Sequence, residues 1–154
     1  MAKKLAIIAS KGTLDGAYPP FLLASTAAAL GFEAKIFFTF YGLQLLNKEL
    51  NLKVSPLGNP AMPMPVTVPS IVQVLPGLEG FATWIMKRKL KKKGVASVEE
   101  LREICIESGV ELIACQMTVD LFDFKHEDFV EGISSGGAAT FLEFASEADI
   151  TLYI

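Results

Sequence analysis

The chain has 154 residues, 51% of them apolar, with 14 Lys/Arg against 17 Asp/Glu and a formal net charge of −3. That length supports one domain with a real core, and a mean hydropathy of +0.42 is high for a small soluble protein, which points to apolar surface buried between subunits. Two cysteines and one histidine leave no ligand cluster for a structural zinc and suit a reducing cytoplasm better than a disulfide framework.

Residues 3–9 form a short aliphatic run without alternation, the pattern of a parallel strand buried on both faces. Only five apolar residues follow Lys3-Lys4, too few for the h-region of a signal peptide. Residues 10–20, with two glycines and two prolines, predict a turn, and the alanine-rich 21–30 ending at Gly31 predicts a helix. Residues 33–38 are the second predicted strand and 41–48 a short helix.

Prolines and a glycine impose an irregular loop over 51–69, and 70–93 predicts helix on both sides of a break at Pro76-Gly77. Between Val54 and Met86 the only charge is Glu79, but six prolines rule against a continuous membrane-spanning helix. An apolar excursion at about 51–94 that forms a subunit interface is the better reading. Ser97 with Glu99 and Glu100 opens the next helix, to Ser108, with Gly109 as its stop.

The third strand is predicted over 110–114 and a helical turn over 116–121. Residues 123–132 are polar, with room for a short helix and a brief strand. A helix over 134–148, opened by Gly136-Gly137, and a closing strand over 150–154 complete the chain. Strands alternating with helices through short loops predict an α/β fold, a mostly parallel sheet with helices on both faces.

Cys115 is the residue most suggestive of chemistry. It follows a buried strand and precedes a helical turn, so it stands at the carboxyl edge of the sheet, where α/β proteins place working groups. There a helix amino terminus favours thiolate over thiol; a small core side chain is the competing reading. Lys11 and Gly12 after the first strand, and Thr39 and Tyr41 after the second, fall on the same rim, with Gln116 beside the cysteine. Lys11 is the nearest candidate cation for a thiolate, or else a solvated loop lysine.

Cys105 shares a helix face with Leu101, Ile104 and Ser108 and reads as core. His126 lies among Lys125, Glu127 and Asp128, a surface-loop context with no triad. Gly136-Gly137 suits anion binding or close packing equally, and Gly12-Thr13-Leu14-Asp15-Gly16 matches neither phosphate-binding nor dinucleotide fingerprints.

Charge is distributed unevenly: residues 1–93 carry 12 Lys/Arg against 4 Asp/Glu, and 94–154 carry 2 against 13. Six cations fall within 87–93, at a predicted helix carboxyl end that their charge complements. The sharper reading is weak contact with a membrane surface or an acidic partner. No aromatics interleave with this run, which argues against nucleic acid.

Three segments together carry a resemblance: Ser10-Lys11-Gly12-Thr13-Leu14-Asp15, Phe37-Phe38-Thr39-Phe40-Tyr41-Gly42-Leu43, and Ala114-Cys115-Gln116-Met117-Thr118-Val119-Asp120. With the glycine-led last helix and Leu152-Tyr153-Ile154, the chain resembles the DsrE/DsrF-like family, in particular its DsrE2-type members, over nearly its whole length. That resemblance implies a flavodoxin-like three-layer sandwich and homo-oligomers, often trimers.

It further implies a sulfurtransferase-like carrier, whose cysteine, matching Cys115, bears sulfur as a persulfide or thiosulfonate, without a cofactor or metal. Small TusA-like carriers or rhodanese-like proteins are the implied partners. The Thr-x-x-Cys context of peroxidases is absent. Two other classes compete: a non-catalytic oligomeric scaffold or regulatory module, and a flavin- or nucleotide-binding domain.

Overall fold

The computed structural model describes residues 1–55 and 75–154. Five strands form one sheet: β1 (Lys4–Ala9), β2 (Glu33–Phe38), β3 (Glu111–Cys115), β4 (Ile133–Gly136) and β5 (Ile150–Tyr153), in the spatial order β4-β3-β2-β1-β5. Every pairing is parallel, with Ile36 of β2 level with Ile7 of β1 and with Leu112 of β3. The aliphatic runs therefore lie side by side, and both faces need cover.

Helices α1 (Leu14–Ala29), α3 (Val98–Glu107) and α4 (Gln116–Leu121) follow β1, precede β3 and follow β3, respectively. The chain steps in one direction from β1 to β4, so right-handed crossovers put these helices on one face. The connection from β4 to β5 runs back across the whole sheet, which sends α5 (Ala138–Ser146) to the other face. Two cores result. Leu5, Ile7, Ile36, Phe38, Leu112 and Ala114 pack under α1 and α3, whereas Ala6, Phe37, Ile113 and Cys115 pack under Phe141 and Phe144 of α5. The expected three-layer α/β sandwich is what forms.

Three local expectations are corrected. Helix α1 begins at Leu14, not at residue 21, because the Thr13 hydroxyl caps the N–H of Gly16. Pro19 and Pro20 are absorbed within it. The region 134–148 divides into β4 and α5, with Gly137 between them as N-cap. The segment expected as a helix over 41–48 is a 3-10 helix, Phe40–Leu46.

Helix α2 (Leu78–Lys92) and the Ser97 capping box of α3 follow expectation. Predicted helix over 70–74, and the part of the apolar excursion from 56 to 74, lie outside the described residues. Inside the sandwich, the buried Arg102 guanidinium donates to the carbonyls of Leu45 and Asn47, each at 2.7 Å, and so fixes the end of the 3-10 helix to α3.

Candidate functional site at the carboxyl edge of the sheet

Cys115 is the last residue of β3 and the N-cap of α4, with extended φ/ψ of −64° and 113°. Its side chain belongs to the core under α5 and is 4% exposed. Gly136 lies level with it in β4, and α5 begins two residues later. Thus the amino termini of two helices open next to the thiol. Neither has an acidic residue in its first turn or a side-chain cap, so the field at this edge favours an anion.

The glycine beside Cys115 is closely packed: a Cβ on Gly136 would stand 3.0 Å from Ile113 Cγ2, which would have to give way slightly. As glycine, it puts no side chain beside the cysteine from β4.

On the other side, α4 is latched to the segment after β2. Thr118 is fully buried; its hydroxyl accepts from the Phe40 N–H at 3.1 Å and lies 3.2 Å from the Thr39 hydroxyl. Phe40 takes φ of +48°, a left-handed conformation that an aromatic residue rarely adopts. The strained residue and the helical turn after Cys115 therefore hold each other.

Around this latch, Phe40, Tyr41 and Phe122 form an exposed aromatic cluster, the Phe40 and Tyr41 ring centroids each 6.2 Å from that of Phe122. Met117 and Leu121 extend it along α4, both 58% exposed.

The predicted rim residues divide into two groups. Lys11, Gly12 and Tyr41 do meet, lining a surface pocket of about 290 Å³ with Ser10, Thr13 and Gln44. A Cβ on Gly12 would fall 2.4 Å from the Tyr41 carbonyl oxygen, which explains the glycine by close packing. Cys115 does not line that pocket. Thr39 faces Thr118, and Gln116 turns along α4 to donate to Asp120 at 2.8 Å.

His126 lies 2.9 Å from the Ser135 hydroxyl. Ser135 is level with Ala114, which packs under α1 and α3, whereas Cys115 packs under α5. No Cys–His dyad forms across the sheet. Cys105 is sealed in the core, where its thiol donates to the Phe21 carbonyl at 3.3 Å and burial pushes its pKa up to about 12. Sequence reasoning missed Thr118, whose signal was only a β-branched hydroxyl in the first turn after the cysteine. The density of aromatics in Phe37-Phe38-Thr39-Phe40-Tyr41 was a usable sign of the rim cluster. Among the described residues no group of side chains could hold a metal, and no helix is long and apolar enough to cross a membrane.

A parallel α/β sandwich with a cysteine at the strand ends, between two helix starts, makes this a small α/β protein with its candidate nucleophile on the carboxyl edge of the sheet. The chain belongs to the DsrE/DsrF/DrsH-like family, which it matches over residues 1–153. It is 63% identical to the sulfur carrier protein DsrE2 of Allochromatium vinosum over 156 aligned positions, covering 99% of this chain and 98% of that protein. It is 29% identical to the uncharacterized protein YrkE of Bacillus subtilis, covering 99% and 97%. Among solved structures, it is similar to the ychN protein of E. coli (TM-score 0.55, 14% identity, 99% of each chain). It is also similar to MTH1491, a protein of unknown function from Methanobacterium thermoautotrophicum (TM-score 0.51, 11% identity, 97% and 98% covered). These two structures bear on the fold alone.

Proposed function

We propose that this protein is a sulfur carrier that holds sulfane sulfur on Cys115 and passes it to a thiol of a partner protein. The observation that carries this reading is the near full-length similarity, at 63% identity, to a protein named as a sulfur carrier. The placement of Cys115 between two uncapped helix starts supports it.

In the loading step the Cys115 thiolate attacks the outer sulfur of a donor persulfide. A Cys115–sulfur bond forms, the donor S–S bond breaks, and the donor leaves as a thiolate. Tetrathionate reacts in the same sense and releases thiosulfate, leaving a thiosulfonate. Discharge reverses the roles: an acceptor thiolate attacks the bound sulfur and Cys115 departs as the leaving group. The helix N–H groups stabilise the anion at Cys115 in both directions; Lys11, Gly12 and Tyr41, in a neighbouring pocket that Cys115 does not line, serve as an outer docking point for the donor, while Thr39 and Gln116 are engaged by Thr118 and Asp120. No cofactor is needed, because sulfur moves by exchange at constant electron count.

A cytoplasmic setting, a homo-oligomer, with a trimer favoured, and a TusA-like or rhodanese-like partner complete the proposal. At 4% exposure, Cys115 reacts only when the rim opens. That burial also favours a second reading, in which the cysteine is packing and the protein is a scaffold. Anaerobic incubation with a persulfide donor or tetrathionate, followed by intact-mass and peptide analysis, separates the two. An adduct confined to Cys115 and lost in Cys115→Ala is expected. A protein that stays unmodified in every assembly state overturns the carrier reading.

A further inference from the structure

Helix α5, which covers the core that holds Cys115, is secured very differently at its two ends. The second half is anchored. Phe144 is buried, with the Lys35 and Lys4 ammonium groups 4.6 and 5.5 Å from its ring centroid, and Ala145 and Ala148 pack into the same core. Just past the helix, Glu147 pairs with Lys4 Nζ at 2.6 Å. The Asp149 carboxylate accepts from the Lys4 N–H at 2.8 Å, and its own N–H donates to the Lys4 carbonyl at 3.0 Å.

The first half is held lightly. Ala138, Ala139 and Thr140 are exposed, and its one buried side chain is Phe141, stacked on Phe37 with ring centroids 5.0 Å apart. The N-cap, Gly137, supplies no side-chain hydrogen bond. Its φ of −88° and ψ of 172° suit any residue, and a Cβ there would meet no described atom within 4 Å. Nothing in this conformation demands glycine at 137, whereas a joint that swings does. On the other flank of Cys115, α4 is tied down through Thr118 and the Phe40 N–H. The first turn of α5 is therefore the wall that can yield.

We propose that α5 is a lid on Cys115, pivoting on its Lys4–Glu147 end so that its first turn lifts away and admits the sulfur donor. What enters is taken from the carrier reading; the motion is not. Opening exposes little beyond Phe141, far less surface than unfolding the domain, so it is a local event. The same motion makes room for the transferred sulfur, which the closed core of Phe37, Ile113 and Phe141 would not hold without strain. Closing again keeps water and stray thiols from the loaded cysteine.

Cys105 provides an internal reference, because it is sealed in the other core and reacts only when the domain unfolds. Full-length reduced protein is treated with iodoacetamide in urea below the unfolding transition, and peptide mass analysis gives the rate at each cysteine. Labelling of Cys115 should be nearly independent of urea, whereas labelling of Cys105 should climb with the full unfolding slope. Without urea, Phe141→Leu should speed Cys115 labelling by about tenfold. Gly137→Ser, which supplies a cap and stiffens the joint, should slow it by about threefold. Glu147→Gln loosens only an exposed pair at the pivot and should change the rate by less than about twofold. Three outcomes overturn the lid: the same steep urea dependence at both cysteines, a Cys115 rate unmoved by Phe141→Leu and Gly137→Ser, or a rate that falls as protein concentration rises. The last would make a second copy the cover. No sulfur donor is present in these measurements, so a failed lid leaves the carrier reading to its own test, and a cysteine that never takes sulfur leaves these rates unchanged.

Discussion

The buried Thr118 hydroxyl accepts the backbone N–H of Phe40, a residue at φ of +48°, and so ties the turn after Cys115 to the segment after β2. Both ends of this contact lie at the strand ends where the candidate chemistry sits. Replacing Thr118 by Val keeps the shape but leaves the Phe40 N–H without a partner, which should cost about 1 kcal/mol. The urea midpoint should fall and alkylation of Cys115 should accelerate, because a relaxed Phe40 loosens the rim. Thr118→Ser should restore both. Unchanged alkylation in Thr118→Val would show that the latch does not guard the cysteine.

The two thiols should differ in reactivity. Cys105 has no exposure and a pKa pushed up to about 12, so it remains an inert thiol at neutral pH. Native protein treated with a maleimide should take up one equivalent, slowly, at Cys115, and two in denaturing urea. Labelling of Cys105 ahead of Cys115 would contradict the structure.

Cys105 also predicts alkaline destabilisation. The unfolded thiol ionises near its ordinary value of 9.0, whereas the folded one does so near 12. Between those values the unfolded state binds fewer protons, so stability falls as pH rises, by on the order of 1 kcal/mol per pH unit at most. Cys105→Ala should remove this slope, at the cost of lower stability at neutral pH. Equal slopes above pH 9 in the two proteins would argue against it.

Glu111 supplies the acid-side counterpart. The hydrogen bond from Lys35, at 2.8 Å, and one from Ser134 hold its carboxyl below the usual range against a smaller opposing effect of burial. Its stabilisation is therefore present above the ordinary carboxylate pKa and is lost as pH falls through the lower folded value. The pair is partly exposed, so Glu111→Gln should cost less than about 1 kcal/mol at pH 7. The two proteins should converge in thermal melts at strongly acid pH.

Two glycines should respond in opposite ways to alanine. At Gly42 a Cβ would sit 2.2 Å from the Ala9 carbonyl oxygen, a backbone atom that cannot move aside, whereas at Gly80 nothing among the described residues lies within 4 Å. Gly42→Ala should be strongly destabilising, and Gly80→Ala, within α2, should stabilise by about 0.5–1 kcal/mol. Chemical denaturation of both checks the contrast.

The strands were legible because buried parallel strands are short continuous aliphatic runs, and residues 33–38 were bounded without error. Helix α3 was legible through its cap, since Ser97 and Glu100 form a reciprocal capping box. Pro19 and Pro20 hid the first turns of α1, because local proline penalties outweighed the Thr13 cap in the sequence pattern but not in the packed fold. The brief strand expected within 123–132 forms instead at Ile133–Gly136, in residues read as helix, since Ser134, Ser135 and Gly136 have low strand propensity; they are strand because β3 offers a partner edge. At the site, position on the rim could be read, but the face could not. Register parity separates Cys115 from His126, whereas i, i+4 spacing on α4 turns Gln116 toward Asp120.

The pairing of β5 with β1 has a consequence during synthesis. The Lys4 N–H donates to the Asp149 carboxylate, 145 positions away, and residues 5–8 of β1 find their outer neighbours only at 150–153. As a nascent polypeptide leaves the ribosome, β1 therefore exposes a row of unanswered donors and acceptors until residues 150–153 have emerged. Chaperone capture, or mispairing with another copy at that bare edge, is the hazard this strand order creates.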